Sequence, residues 1–153
     1  GDILFLAGWN EGTLAASVYQ RHYAHDFAGR PVPFVPERER AFNAAALAAA
    51  KARAADSARP IIGGGLLVAV AKEAIESGVG ADLKDKDYSA ADLFGEGATA
   101  AIYAVPAAKV EEFRRCWKDV PLEEIGVVGG PCLAVGGKCL RSVEALNKAF
   151  RNL

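Results

Sequence analysis

The sequence contains few of the residues that mark specialised protein classes. It has no methionine, two histidines and three cysteines among 153 residues. No two cysteines are spaced as Cys-x-x-Cys, which excludes the usual zinc-binding pattern and argues against a disulfide framework. We therefore predict that Cys116, Cys132 and Cys139 are free thiols, mostly buried, in a reducing compartment.

Long apolar runs and an excess of one charge are also missing. No apolar stretch approaches the ~20 residues that a membrane span requires, and the N-terminal segment does not resemble a signal peptide. The chain carries 18 basic and 19 acidic residues, giving a net charge of −1, whereas nucleic-acid-binding modules show a basic excess. We expect a soluble, cytoplasmic protein that binds neither membranes nor nucleic acid.

The residues that are present are typical of one globular domain. A chain of this length can bury a sizeable core, and a composition of 52% apolar and 24% charged residues excludes disorder. Because the chain starts with Gly1 and has no methionine, we expect a processed product or a cut piece. The expected organisation is a single domain over residues 1–153, belonging to a longer protein.

Strand and helix patterns follow one another without strict alternation. Buried apolar runs predict strands at residues 3–6, 59–62, 80–83, 99–105, 125–128 and 132–135. Caps and helical periodicity predict helices at residues 14–22, 36–55 and 66–77, after Pro106 and after Ser142, with Thr13 as the first N-cap. Residues 84–97 are polar and predict a loop. This order favours an α+β fold with one mixed sheet covered by helices.

A glycine-rich segment, Arg59-Pro60-Ile61-Ile62-Gly63-Gly64-Gly65-Leu66, joins a predicted strand to a predicted helix. Backbone N–H groups at a helix N-terminus form an anion site when no side chain obstructs them, and Arg59 can add a charge-assisted bond. No Lys-Ser/Thr pair follows the glycines, and the spacing differs from the dinucleotide fingerprint. Two interpretations stay open: a phosphate site formed by Arg59, Gly63, Gly64 and Gly65, or a tight packing turn.

Acidic residues and histidines offer weaker candidates. Glu96, within Phe94-Gly95-Glu96-Gly97, follows four aspartates that could hold Mg²⁺ or simply face solvent: Asp82, Asp85, Asp87 and Asp92. His22 and His25 could share a metal, but the sequence places no third ligand, so we predict surface positions for both. We predict no resident metal site and assign no catalytic residue.

Several segments carry a resemblance to a known superfamily. They are the opening strand at residues 1–8, the segment 12–19, the glycine turn at 58–66, the late strand and turn at 125–129 and the ending at 142–146. In order and spacing, these segments resemble the C-terminal domains of the aminoimidazole ribonucleotide synthetase superfamily. Within it, the last such module of the phosphoribosylformylglycinamidine synthases is the most similar. The resemblance covers nearly the whole chain and implies a layered α/β/α domain.

The resemblance also implies a function for the parent protein. That parent would be an ATP-dependent C–N ligase of purine biosynthesis, which amidates formylglycinamide ribonucleotide with ATP, Mg²⁺ and ammonia released from glutamine. The implied partners are an N-terminal ATP-binding domain of the same chain and a glutaminase subunit or domain. If the domain serves only packing, we also expect a second copy in a homodimer. The isolated domain is expected to be inactive.

The site motifs depart from the family pattern. Arg59-Pro60 stands where the family has His-Asp, Ile62-Gly63 where it has Ser-Asp, and Val18 where a glutamate is usual. Besides the glycines, only Tyr19 and Glu96 can be carried over. One hypothesis is therefore an enzyme domain that offers backbone amides to a phosphate or nucleotide. Another is a catalytically silent structural or subunit-interface module of the same fold.

A third hypothesis is a domain of another superfamily member. The candidates are aminoimidazole ribonucleotide synthetase itself, selenophosphate synthetase, thiamine-phosphate kinase and a hydrogenase maturation factor. The triple glycine at residues 63–65 resembles that of aminoimidazole ribonucleotide synthetase, so this alternative stays open at the level of sequence.

Overall fold

The computed structural model describes residues 1–25, 28–97 and 99–152. Its strands are β1 Ile3–Trp9, β2 Ser57–Pro60, β3 Ala81–Leu83, β4 Thr99–Val105, β5 Leu122–Val128, β6 Cys132–Val135 and β7 Lys138–Ser142. Its helices are α1 Val18–Tyr23, α2 Pro36–Lys51, α3 Gly65–Ser77, α4 Ala90–Phe94, α5 Val110–Cys116 and α6 Val143–Arg151. A single 3-10 turn, Ala107–Lys109, precedes α5 within the described ranges.

The strands form one mixed sheet in the order β2-β4-β1-β5-β3-β6-β7. β3 and β6 run parallel, and the other neighbouring pairs are antiparallel. β1 is an interior strand, the third of the seven, and it pairs with β4 through Phe5 opposite Tyr103 and with β5 through Leu4 opposite Gly126. This arrangement confirms the predicted α+β fold with a mixed sheet covered by helices.

The two faces of the sheet have different cores, because alternate residues of a strand point to opposite faces. The aliphatic face packs against α3, and its buried residues include Leu4, Ile61, Leu66, Val70, Leu83, Ile102, Ile125 and Leu133. The aromatic face packs against α2 and α5, and its buried residues include Phe5, Tyr103, Phe113 and Trp117. Strand β4 is buried along its whole length and supplies side chains to both faces.

Local capping decides several helix boundaries. α1 begins after Ser17, whose hydroxyl accepts the N–H of Gln20. The prediction of Thr13 as N-cap is wrong. The Thr13 hydroxyl instead accepts the N–H of Ala15, in the turn before the helix. The short α4 interrupts the predicted loop, and a capping box between Ser89 and Asp92 begins it. The Ser89 hydroxyl and N–H donate to Asp92 and lower the pKa of that carboxyl.

The cysteines differ from the sequence-based prediction. Cys132 on β6 and Cys139 on β7 form a disulfide, with their Cα atoms 5.6 Å apart. The prediction of three free thiols is therefore wrong for this pair, and only Cys116, which is half-buried, is free. The error follows from missing β7. The turn at Gly136 and Gly137 folds β7 back beside β6, which brings two cysteines seven residues apart into contact.

Candidate functional site

The glycine turn connects β2 to α3, as predicted. Gly64 is the N-cap of α3 with a φ of 98°, and Gly65 is its first residue with a φ of 78°. Side chains other than glycine rarely adopt these angles. A Cβ on Gly65 would lie 2.6 Å from the backbone of Phe94, at the end of α4. Backbone geometry and close packing therefore require glycine at Gly65 without reference to any ligand.

A carboxylate of the chain itself lies at this helix N-terminus. One oxygen of Glu96, Oε1, accepts the N–H of Gly64 at 2.9 Å and the N–H of Val18 at 2.8 Å. The Glu96 N–H donates to the carbonyl of Thr13 at 3.0 Å. We call the residues Val18, Gly64 and Glu96 the Glu96 clasp. The positive end of a helix stabilises an anion, and here that anion is Glu96.

Arg59 is engaged with α3. Its side chain is half-buried, and its Nε donates to Oε1 of Glu73 at 2.6 Å. A second guanidinium nitrogen donates to Oε2 of Glu76 at 2.5 Å. Two glutamates of the following helix thus neutralise the charge that the sequence assigns to phosphate binding. Arg59 nevertheless lines a cavity of about 40 Å³ beside the turn, together with Gly63, Gly65 and Lys72.

Tyr19 and the residues around it complete the site. The Tyr19 ring stacks on Phe94, with the ring centroids 5.0 Å apart, and so holds α1 against α4. Val18 is 43% exposed and Ile62 is 63% exposed. A Cβ on Gly63, the residue after Ile62, would lie 3.6 Å from the Val18 side chain, so Val18 packs beside the glycine turn. The outer surface of the turn is therefore apolar where the family pattern is polar.

Two of the aspartates and one of the histidines make local structural contacts. Asp82 accepts the N–H of Gly137 at 3.0 Å, and Asp92 caps α4. His22 lies on α1 with its ring edge against Tyr23, and His25 follows that helix. The described residues contain no group of three or more histidine, cysteine or acidic side chains placed to hold a metal ion. In the same ranges, no helix has the length and apolar character needed to cross a membrane.

Sequence reasoning identified Glu96 but missed its contacts. The sequence associated Glu96 with the aspartates upstream, whereas the structure associates it with two backbone amides, those of Val18 and Gly64. Sequence reasoning also missed Lys72, which lines the small cavity next to the turn. The helical spacing from Gly65 to Lys72, two turns along α3, was the available signal for that residue.

Comparison with known proteins adds the relatives of this chain. No protein-family model matches it. PurL, a subunit of phosphoribosylformylglycinamidine synthase, from Bradyrhizobium sp. ORS 278 is 31% identical over 99% of the chain. PurL from Streptomyces avermitilis is 32% identical over 97% of the chain. The chain is homologous to part of PurL. It spans about a fifth of the length of these relatives, 21% and 20% respectively.

Solved structures agree on the fold. PurL from Thermotoga maritima, complexed with FGAR, matches 96% of the chain and 28% of its own length, with a TM-score of 0.73 and 14% identity. Thiamine-monophosphate kinase from Stenotrophomonas maltophilia matches 91% of the chain and 51% of its own length, with a TM-score of 0.53 and 20% identity. At such identities the likeness concerns the fold. The predicted layered fold and the predicted resemblance to the synthase are confirmed.

Proposed function

We propose that this chain is a module of an ATP-dependent phosphoribosylformylglycinamidine synthase, in which it packs against an N-terminal ATP-binding domain of the same polypeptide. The homology to PurL along nearly the whole chain supports this assignment. The T. maritima PurL structures that share the fold include complexes with ATP and with ADP. The parent enzyme would use ATP and Mg²⁺ to amidate its ribonucleotide substrate with ammonia from a glutaminase partner. A PurLQS assembly of T. maritima shares the fold.

The Glu96 clasp is the observation that supports a packing role for this module. A phosphate at the start of α3 would take the N–H of Gly64, which already donates to Glu96. Displacing a carboxylate by a phosphate exchanges one charge-assisted hydrogen bond for another and gives little net binding energy. The exposed Val18 and Ile62 suit contact with a neighbouring domain better than contact with a polyanion. The module therefore serves packing and positioning and leaves catalysis to the rest of the enzyme.

One observation favours a second candidate function. The small cavity beside the turn is lined by Lys72 and Gly63, and by Arg59, whose charge two glutamates already offset. A phosphate group could contact the Gly63 backbone and the Lys72 ammonium from this side without displacing Glu96. The domain would then add backbone and lysine contacts to a phosphate or nucleotide site that it shares with the ATP-binding domain.

Thermal unfolding distinguishes the two functions. With pyrophosphate or ATP plus Mg²⁺, the silent module is expected to keep an unchanged Tm, because only a ligand of the native state raises it. A concentration-dependent rise that Lys72→Gln removes and Lys51→Gln retains would instead establish the phosphate site. Lys51→Gln is the matched control, since Lys51 lies on α2. We also expect no amidation of formylglycinamide ribonucleotide by the isolated chain, and turnover would contradict the silent module.

The clasp itself is tested by Glu96→Ala and Glu96→Gln. Loss of the carboxylate leaves two N–H donors without their acceptor, so Glu96→Ala should lower the free energy of unfolding by about 1–3 kcal/mol. Glu96→Gln keeps an oxygen acceptor and should lower it by less. Urea denaturation measures both. Equal stability of Glu96→Ala and the native chain would show that the clasp contributes nothing to packing.

A further inference from the structure

A cavity of about 850 Å³ lies on the aromatic face, on the side of the sheet opposite the glycine turn. It lies between the C-terminal half of α2 and the edge strand β2, and it is open to solvent. Cavities that bind small molecules commonly have volumes of about 300–1,000 Å³. The size therefore suits an organic ligand, and nothing in the proposed function of the module makes use of this space.

Small side chains create the cavity. Alanines of α2, including Ala46, Ala49 and Ala50, form one wall. On the other side, Ala58 of β2 lies directly opposite Tyr103 of β4 in the sheet register. Because β2 is the edge strand, no further strand of the described residues covers the space beyond it. The walls thus provide an apolar surface that no side chain of the described residues fills.

Tyr103 places a fixed hydrogen-bond donor at this cavity. Its side chain is 7% exposed, and its ring packs against Phe113 and Trp117 with centroid distances of 5.2 and 5.1 Å. Within the described part of the chain, burial alone shifts the pKa of this phenol and no hydrogen bond contributes. Burial raises the pKa of Tyr103 to about 12, so the phenol keeps its proton at neutral pH and can donate it.

Two cations lie at the same cavity. Lys109 donates to the carbonyl of Arg53 at 2.5 Å, which holds these two residues together. Neither forms an ion pair with a carboxylate among the described residues. Asp56 also lines the cavity and offsets one of the two positive charges. The charged groups at the cavity therefore carry a net charge of +1, which attracts an anion.

We propose that this cavity binds a small organic anion, such as an aromatic carboxylate or sulfonate, whose apolar body lies on the alanine walls. Its acidic group would contact Lys109 and Arg53 and accept a hydrogen bond from the Tyr103 hydroxyl. The three features are independent of one another: volume from the small residues, a donor from the buried tyrosine, and positive charge from two cations that form no ion pair among the described residues. None of them involves the Glu96 clasp.

A fluorescence titration of the whole chain with 8-anilinonaphthalene-1-sulfonate tests the proposal. We expect saturable binding that Ala50→Phe, which fills the cavity, abolishes. Tyr103→Phe removes only the hydroxyl and should weaken binding about 2- to 10-fold, as expected for one hydrogen bond. At low salt, Lys109→Gln should weaken binding of the probe by more than Tyr103→Phe does. Lys51→Gln is the matched control, because Lys51 does not line the cavity, and it should leave binding unchanged.

N-phenyl-1-naphthylamine is the uncharged relative of the probe. Comparing the two compounds distinguishes binding by the sulfonate from binding by the apolar rings. Binding of the uncharged compound should not respond to Lys109→Gln or to salt. Sulfonate binding that persists in a folded Ala50→Phe variant, or that neither Tyr103→Phe nor Lys109→Gln weakens, would overturn the proposal. Thermal unfolding verifies that each variant folds. If Ala50→Phe does not fold, Tyr103→Phe decides, since that variant retains the packed ring.

Discussion

The two faces of the sheet reach close packing by different means. On the aliphatic face, backbones approach one another closely where glycines permit it, as Gly65 does against Phe94. On the aromatic face, large rings fill the centre, while an alanine-rich helix leaves a cavity at the edge. Packing on the aliphatic face therefore depends on the backbone conformation at particular positions. Packing on the aromatic face depends on side-chain volume. Substitutions of the same kind should have different consequences on the two faces.

The largest expected effect comes from emptying the aromatic core. Phe113 is fully buried and contacts the rings of Phe5, Tyr103 and Trp117, so Phe113→Ala should lower the free energy of unfolding by about 3–5 kcal/mol. Leu66→Ala removes a smaller side chain from the aliphatic face and should have a smaller effect. Urea denaturation measures both values. A greater loss in Leu66→Ala would reverse the comparison between the faces.

A smaller but more position-dependent effect is expected at the glycine turn. Gly65→Ala combines a positive φ with a Cβ only 2.6 Å from the Phe94 backbone and should lower the free energy of unfolding by about 2–3 kcal/mol. Gly78→Ala, at the other end of α3, has a φ of 72° but free space around its Cβ and should lower it by about 1 kcal/mol. Equal losses would show that backbone strain alone, without the contact to α4, requires glycine at Gly65.

The smallest effect concerns titration of the aromatic face. The folded state raises the pKa of Tyr103 to about 12, above its ordinary value of 10. Below pH 10, both the folded and the unfolded state hold this proton, so the contribution to stability is constant. Between pH 10 and 12 the unfolded state loses the proton first, so the free energy of unfolding falls as the pH rises.

Comparison with Tyr103→Phe isolates this contribution from the other groups that titrate at high pH. The difference in free energy of unfolding between the native chain and Tyr103→Phe should be flat below pH 10 and should decline above it. Leu66→Val, on the face whose buried core contains no titratable group among the described residues, should keep the pH dependence of the native chain. A parallel pH dependence in Tyr103→Phe would contradict burial of the phenol.

The sequence predicted the buried strands well and the exposed short elements poorly. The predicted bounds of β4 and β6 agree with the structure, because a strand buried on both faces is a continuous apolar run. Strand β7 was missed because it is an exposed edge strand with polar residues. Helix α4 was missed because its five residues are too few to show helical periodicity.

The candidate site could be predicted only where side chains carry the signal. The glycine turn was visible in the sequence, since three adjacent glycines between a strand and a helix indicate a special backbone. The Glu96 clasp was not, because its donors are main-chain N–H groups, which every residue other than proline possesses. The ion pairs of Arg59 were hidden for a different reason. Long-range pairing between β2 and α3 depends on how the chain turns at Gly63–Gly65.

The interior position of β1, between β4 and β5, has a consequence for the synthesis of the protein. Ile3–Trp9 leaves the ribosome before the rest of the fold, yet its two partner strands begin at Thr99 and Leu122. Until Val105 has emerged, both edges of this apolar strand lack their final hydrogen-bond partners, and until Val128 has emerged one edge still does. Non-local pairing of this kind slows folding, and it leaves aggregation-prone apolar segments exposed until the partner strands have been synthesised. A nascent chain of this protein is therefore expected to need a chaperone, or an adjoining folded domain, to shield its first strand.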